Sequence, residues 1–490
     1  MLSLSSQFIE LSPHKMIVHR RKLNMPNLQS SQPDSKFKIM KFFKVSRLSC
    51  ICISLLATSA QAEDLLDIYN MAVNSDPQIR QARAEFNATH TNVAQGRSQL
   101  LPSVDITANT GRQTQGPGEP SAFAPAHSFA NGFNSKGYGL SIRQNLLNFE
   151  AWYSYQSIKK SDEAAATNLA RSEQELILRV ASAYFDVLRT QDNLETYEAE
   201  LEASARILEQ TQERFEVGLV PITDVYDSQA SYDLAQVNLL IEENTLNQRY
   251  EALEAITGRN HNSIANLSED FPIEPLAPTT IEEWVMTANQ NNLDVRTARL
   301  TMESREYDAE AAKAAMLPTL DLAAAYNWNE SGGISFFNLG GAPGDVVNIN
   351  SNITLNLSIP IFSGGLNRAR ERQAFFNLDA SEESLLQTQR SSTQSARNNY
   401  RSVENSVLTI AARAQAVVSA QSQLDATIAG QEAGTRNIVD VVTAQRFLFQ
   451  SMRDYANARY NYVVNTLNLK QAAGLLSPQD IIDLNEWLSE

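Results

Sequence analysis

Apolar positions along the chain follow two periods in alternation, seven and two, and the alternation occurs twice. Val180, Val187, Leu194, Leu201, Leu208 and Phe215 recur at every seventh residue inside a segment, 150–217, that holds neither Gly nor Pro. A second such segment, 366–429, carries Ala396, Val403, Ile410, Val417 and Leu424 on the same spacing, with polar Gln431 at the next place. A sustained seven-residue seam slightly underwinds a helix and supercoils it left-handed against its neighbours. An unbroken helix of this length reaches roughly 100 Å, several times the ordinary length, which a core stripe on a surface helix does not explain. The first run ends at Gly218 and the second at Gly430, four residues before the tip glycine Gly434, and each tip is followed by another Gly/Pro-free run, 222–257 or 435–473. Two antiparallel coiled hairpins are predicted, with tips at 217–224 and 433–440. Glycine suits the left-handed residue after a helix C-terminus, and Pro221 with Thr223-Asp224 favours restarting a helix.

Between the helical stretches the period falls to two. Val104, Ile106 and Ala108 alternate with Asp105, Thr107 and Asn109, and Leu320, Leu322, Ala324, Tyr326 and Trp328 alternate with a second set of neighbours. Tyr138, Leu140 and Ile142, then Ile353, Leu355, Leu357 and Ile359, supply partner strands. Strands are predicted at about 103–110, 137–147, 319–329 and 350–361, each pair joined by a loop rich in Gly, Ser, Asn and Pro (111–137, 330–349). Such strands, with one apolar face, match what crosses a membrane as a barrel. Tyr138, Phe149, Trp152, Tyr153, Tyr326 and Trp328 lie near their ends, where interfacial girdles occur, although plain packing is the commoner reason for such aromatics. Four strands cannot close a barrel, and an open edge cannot sit in lipid. An oligomer follows if these strands span a membrane: eight strands from a dimer, twelve from a trimer, or more.

The two halves are copies. Leu101-Pro102-Ser103-Val104-Asp105-Ile106 returns 216 positions later as Leu317-Pro318-Thr319-Leu320-Asp321-Leu322, Tyr184 as Tyr400, and Gly218 with Asp224-Val225 as Gly434 with Asp440-Val441. The unit far exceeds solenoid periods, so this is a doubled domain. A first repeat is expected at 63–275 and a second at 276–490, giving a mainly α protein with a β-barrel part.

Residues 1–62 read as a leader. Lys36, Lys38, Lys41, Lys44 and Arg47 form a basic region, Leu48–Leu56 is apolar, and Ala60-Gln61-Ala62 is a small-x-small cleavage site. Met40 offers an alternative start, and cleavage is expected after Ala62. The apolar stretch is too short for a membrane anchor. The leader takes nine Lys/Arg and two Asp/Glu with it, leaving 31 basic and 54 acidic side chains and a formal charge of −23. So acidic a chain is a poor nucleic-acid binder. Both cysteines go too, so neither a disulfide nor a thiolate metal site remains. His90, His127 and His261 lie in separate segments, and no P-loop or HExxH motif is present. No enzyme activity, cofactor or metal site is therefore expected.

These landmarks resemble the TolC family of outer-membrane efflux proteins over essentially all of Glu63–Glu490. The resemblance rests on Leu101-Pro102 and Leu317-Pro318, on Pro360-Ile361-Phe362-Ser363-Gly364-Gly365, and on the tips Val217–Val225 and Gly434–Val441. It implies a homotrimer with a twelve-stranded outer-membrane barrel and a long periplasmic α-barrel. It further implies a passive exit duct for tripartite drug efflux, with type I protein secretion as a second use, working with a periplasmic adaptor and an inner-membrane pump or ABC exporter. Asp224 and Arg436 match the family's charged gate link, and Thr223 a hydroxyl partner beside it. Asp440 matches the first aspartate of a cation-binding constriction ring. The second aspartate of that ring is Thr443 here, a family tyrosine aligns with Gln431, and a valine with Ala433, which implies a weaker cation block and one fewer closing contact. Gly218, Leu219, Gly434 and Thr435 match the adaptor-contacting tips, though simple turn chemistry also accounts for the glycines. A periplasmic coiled-coil adaptor is the competing reading, since it too carries long hairpins and an export signal. One hairpin flanked by compact β-domains would be expected of it, rather than two hairpins and four strands. An ordinary porin-like barrel fits less well because strands are a small fraction of the chain.

Overall fold

A computed structural model describes residues 62–489 except 114–132, 269, 274–275 and 335–343. The leader with its Met40 start, the centres of both strand-joining loops and His127 lie outside the described residues. The described part belongs to one compact unit, Ser59–Glu490.

In chain order the elements are α1 (Leu65–Ser75), α2 (Pro77–Ser98), β1 (Ser103–Gln113), β2 (Phe133–Leu147), α3 (Phe149–Glu216), α4 (Ile222–Thr257) and β3 (Asn266–Leu267). The second half continues with α5 (Ile281–Asn291), α6 (Leu293–Ala314), β4 (Thr319–Ile334), β5 (Gly344–Ser358), α7 (Leu366–Glu432) and α8 (Ile438–Ala472), then α9 (Pro478–Asn485) and β6 (Leu488–Ser489). Helices α3 and α7 run unbroken for 68 and 67 residues. Asn148 caps the first by accepting from the Ala151 amide at 2.9 Å, which satisfies one of the amides a helix start leaves free. Helix α3 packs against α4 and α7 against α8; α6 packs between α3 and α7, and α8 packs along α3.

The four long strands make one antiparallel sheet in the order β1-β2-β4-β5, so β1 and β5 each keep one unpaired edge. Register aligns apolar residues in rows, such as Val104, Ile142, Ala324 and Ile353. That face is open, with Ile106 81% and Ile353 78% exposed. The opposite face is polar, with rows such as Asn109, Gly137, Asn329 and Asn348. Tyr138 stacks on Trp328 with centroids 4.9 Å apart, on the apolar side. The strands run past their sequence-predicted loop ends, because the ladder continues through Gly, Ser and Asn positions whose composition suggested a loop. β5 stops at Ser358, short of the expected 361, because Pro360 has no N–H to offer a ladder.

The principal core lies between sheet and tips. Leu65 and Ile68 of α1, Ile177 to Leu188 of α3, Leu253 of α4, Trp284 of α5, Tyr460 to Leu469 of α8 and Ile481 of α9 share one buried cluster. Tyr184 OH donates to the Ala265 carbonyl at 2.6 Å, tying α3 to the segment that closes the first repeat. His261, fully buried, hydrogen-bonds the Glu63 carboxylate through Nδ1 and lies 2.6 Å from Thr257 Oγ1 through Nε2. Glu63, the first residue after the expected cleavage point, is thereby anchored in this region.

Candidate functional site

The hairpin tips are built on one plan. Gly218 and Gly434 have φ of 76° and 75°. At the first tip the Leu219 amide donates back to the Arg214 carbonyl, and that of Gly218 to Phe215, both at 2.8 Å. At the second, Thr435 donates to Gly430 at 2.8 Å and Gly434 to Gln431 at 3.1 Å. Both are Schellman closures, which need a residue tolerant of the left-handed region. A Cβ at either glycine would meet nothing within 4 Å, so each leaves an open notch. Leu219 and Val217 beside the first notch are each 69% exposed.

The second tip restarts with a capping box. The Asp440 amide donates to Asn437 Oδ1 at 2.8 Å, and the Asn437 amide to Asp440 Oδ2 at 3.3 Å. Arg436 Nη1 lies 3.9 Å from the same carboxylate oxygen, with the arginine side chain 61% exposed. Its stem rests on α7, where a Cβ at Gly430 would fall 2.8 Å from Arg436 Cγ. Behind the tip, Ile438, Val441 and Val442 bury themselves against Ile207 of α3 and Leu424 of α7. Thr443 and Val439 are exposed on the other side of α8.

Of the predicted site residues, the structure brings Arg436 to Asp440, and Thr223 to Asp224, whose Oγ1 and Oδ1 are 3.5 Å apart. Asp224 and Arg436 form no ion pair with each other among the described residues. Thr435 Oγ1 donates to the Gly430 carbonyl at 2.9 Å, a tip contact the sequence did not suggest. No group of three or more His, Cys, Asp or Glu suited to a metal ion occurs among the described residues.

Sequence reasoning missed the polar seam between α3 and α8. Arg453 Nη1 reaches Glu200 Oε2 at 2.7 Å with side-chain exposures of only 14% and 4%. Its guanidinium also lies 4.1 Å from the Tyr197 ring centroid. Gln445 Nε2 donates to Ser204 Oγ at 3.3 Å, and Tyr460 OH to Asp192 Oδ2 at 2.7 Å. Burial raises the Asp192 pKa, and the Tyr460 hydrogen bond and Arg459 only partly offset it. A signal was present: 216 positions away from Glu200 and Arg453 stand Ala416 and Val237, so the charges break the repeat.

The geometry describes a hairpin duct element: a sheet with an apolar outer face, long coiled helices and glycine-notched tips. The chain belongs to the outer membrane efflux protein family, whose model matches residues 68–259 and 284–475, two segments 216 residues apart. Outer membrane protein TolC of Vibrio cholerae serotype O1 is 36% identical over 438 residues, covering 89% of this chain and 96% of that protein. The alkaline protease secretion protein AprF of Pseudomonas aeruginosa is 28% identical over 87% of this chain and 88% of its own. In fold, the chain is similar to the Campylobacter jejuni CmeC outer membrane channel, with a TM-score of 0.70 at 17% identity over 87% of this chain and 90% of that one. The coiled-coil adaptor alternative finds no support, since both halves match the efflux family and the structural likeness is to outer-membrane channels.

Proposed function

We propose that this protein is the passive outer-membrane exit duct of a tripartite efflux assembly, and by the same route of type I secretion. Three copies close a twelve-stranded barrel, the β1 edge of one pairing with the β5 edge of the next. The observation that carries this reading is the four-stranded sheet with two unpaired edges and one exposed apolar face. Such a sheet is tolerable in lipid only when closed. From it, α3 leads roughly 100 Å into the periplasm, placing the tips where an adaptor and an inner-membrane pump or ABC exporter meet the duct. Transport energy comes from that partner.

The tips are the gate. Arg436 of one copy reaches Asp224 and Thr223 of a neighbour, and Asp440, repeated by symmetry, forms a ring that attracts cations. Exposed pairs of this kind contribute about 0–1 kcal/mol each, weak enough for a docking adaptor at Gly218, Leu219, Gly434 and Thr435 to displace several together. Thr443 in place of a second aspartate makes cation block weaker. Single-channel recording in a planar bilayer tests the reading. Small cation-preferring currents that grow in Arg436→Ser, with the oligomer intact, are expected. Unchanged conductance in both Arg436→Ser and Asp224→Ala would reject the link, and failure of well-folded protein to insert would reject the duct.

A further inference from the structure

Within the chain, α3 is sealed on one side by α8. Ile177, Ala181 and Phe185 of α3 share the buried cluster with Val463 and Leu467 of α8, all at most 2% exposed. Phe185 lies 6.2 Å, centroid to centroid, from Tyr460. Shifting each residue by 216 positions carries this seam onto α7 and α4, where the counterparts are Thr393, Arg397, Arg401, Asn247 and Glu251. Helices α4 and α7 do not pack together within the chain. The α7 side of the carried-over seam is instead an open cleft of about 820 Å³, lined by Arg299, Arg390, Arg397 and Arg401 and by no acidic residue. None of these four arginines makes a hydrogen bond or ion pair among the described residues. Glu282 lines a smaller adjoining cleft that shares Arg397, without pairing to it. On α4, Glu251 is exposed and likewise unpaired.

An uncovered arginine row is anomalous on so acidic a chain. Arg390, Arg397 and Arg401 stand on one face of α7, separated by about 10 and 6 Å along the axis. The position equivalent to Arg390 shows what covers such a surface: Gln174 donates to the Leu476 carbonyl at 2.8 Å, where the chain leaves α8. The matching exit from α4 is the segment after Gly258. A polypeptide end, with acidic residues in the last turns of its helix, is therefore the occupant the repeat specifies.

We propose that Arg397 and Arg401 of α7 pair with Glu251 of α4 in the next copy of this chain. This inter-copy seam takes the place of the apolar seam between α3 and α8. It rests on the oligomeric duct reading and assigns the contacts that order the copies around the ring. The ion-paired seam is salt-sensitive where the apolar one is not, because exposed charge pairs are screened, and arginine suits it by holding a carboxylate with two parallel N–H donors. Opposite charge also disfavours wrong registers, in which α7 would meet another α7.

The thiol-free mature chain allows a direct test. Asn247→Cys/Thr393→Cys leaves every charge in place, and its oxidation in membranes is expected to give covalent dimers and trimers that neither single variant gives. Arg397→Glu is expected to lower the assembled fraction at least tenfold at low salt, and Glu251→Arg on that background to restore it. Assembled, conducting protein with no inter-copy disulfide would overturn the pairing while leaving the duct standing. Restoration failing in protein that does cross-link would move the partner of Arg397 away from Glu251. A wild-type chain that stays monomeric in membranes would overturn both readings.

Discussion

Arg453→Ala is the most informative single perturbation of the duct wall. The substitution strips the partner from Glu200, whose side chain is 4% exposed and otherwise held at 2.7 Å by the guanidinium. Leaving one member of a buried pair behind costs about 3–5 kcal/mol, and losing the guanidinium from the Tyr197 face adds roughly 0.5–2 kcal/mol. The lower part of that combined range, about 4 kcal/mol, corresponds to roughly a thousandfold change in local opening. Hydrogen exchange reads this better than a melting temperature, because large proteins commonly unfold irreversibly. The amides of α8 flanking Arg453 are expected to exchange roughly a thousandfold faster than in wild type. In Glu200→Gln/Arg453→Met, which removes both charges and keeps apolar volume, most of the protection should return, since replacing a buried pair as a whole is close to neutral. Exchange in Arg453→Ala within about fivefold of wild type, near 1 kcal/mol, would refute the claim that this pair holds α8 against α3. Equal exchange in the single and double variants would show that packing, not the orphaned carboxylate, sets the cost.

Asp440→Asn keeps a side-chain oxygen for the capping contact to Asn437 but removes the charge, so it should abolish block by a multivalent cation while leaving tip stability nearly unchanged. Asp440→Ala should abolish block and also weaken the first turn of α8, by about 0.5–1 kcal/mol in local exchange. Block that survives both variants would place the cation elsewhere. Gly430→Ala puts a methyl 2.8 Å from Arg436 Cγ, too close for both to stay; the displaced arginine should raise closed-state conductance in the direction of Arg436→Ser, and unaltered conductance would show that its stem does not depend on α7. Burial raises the Asp192 pKa above its ordinary 3.8, so its contribution to stability is full below that value and is lost as pH rises through the raised folded value. At neutral pH the carboxylate is a net cost, and Asp192→Asn, which still accepts from Tyr460, should unfold no more readily than wild type and show less pH dependence toward acid. Marked destabilisation by Asn at neutral pH would reverse that sign.

Much of the fold was legible because its signals are local. A seven-residue seam without Gly or Pro over 150–217 states a long coiled helix, period-two runs state strands, and Gly218 and Gly434 mark left-handed closures, each from the conformational preferences of neighbouring residues. The contacts of Asn437, Asp440 and Arg436 lie within one turn of chain, yet the sequence reading assigned Arg436 to Asp224 and did not name the capping box. Strand ends were not legible, since continuation of the ladder through Asn348 and Ser135 depends on the partner strand rather than on turn composition. Nor was the α3–α8 seam, where Glu200 beside the apolar Leu201 reads as a solvated charge until Arg453, 253 residues away, is placed against it.

The sequence alone determined the doubled plan, the great length of the helices, the places of the strands and the left-handed turn at each tip, because periodicity and glycine act over a few residues. Only the tertiary structure decided which faces meet. It joined β2 to β4 across the two halves, laid α8 on α3, sealed Ala181 and Phe185, and left Arg397 and Arg401 at the equivalent places open. A period says that a helix has a face, but what covers that face depends on free energies gained between segments hundreds of residues apart, which no local pattern records.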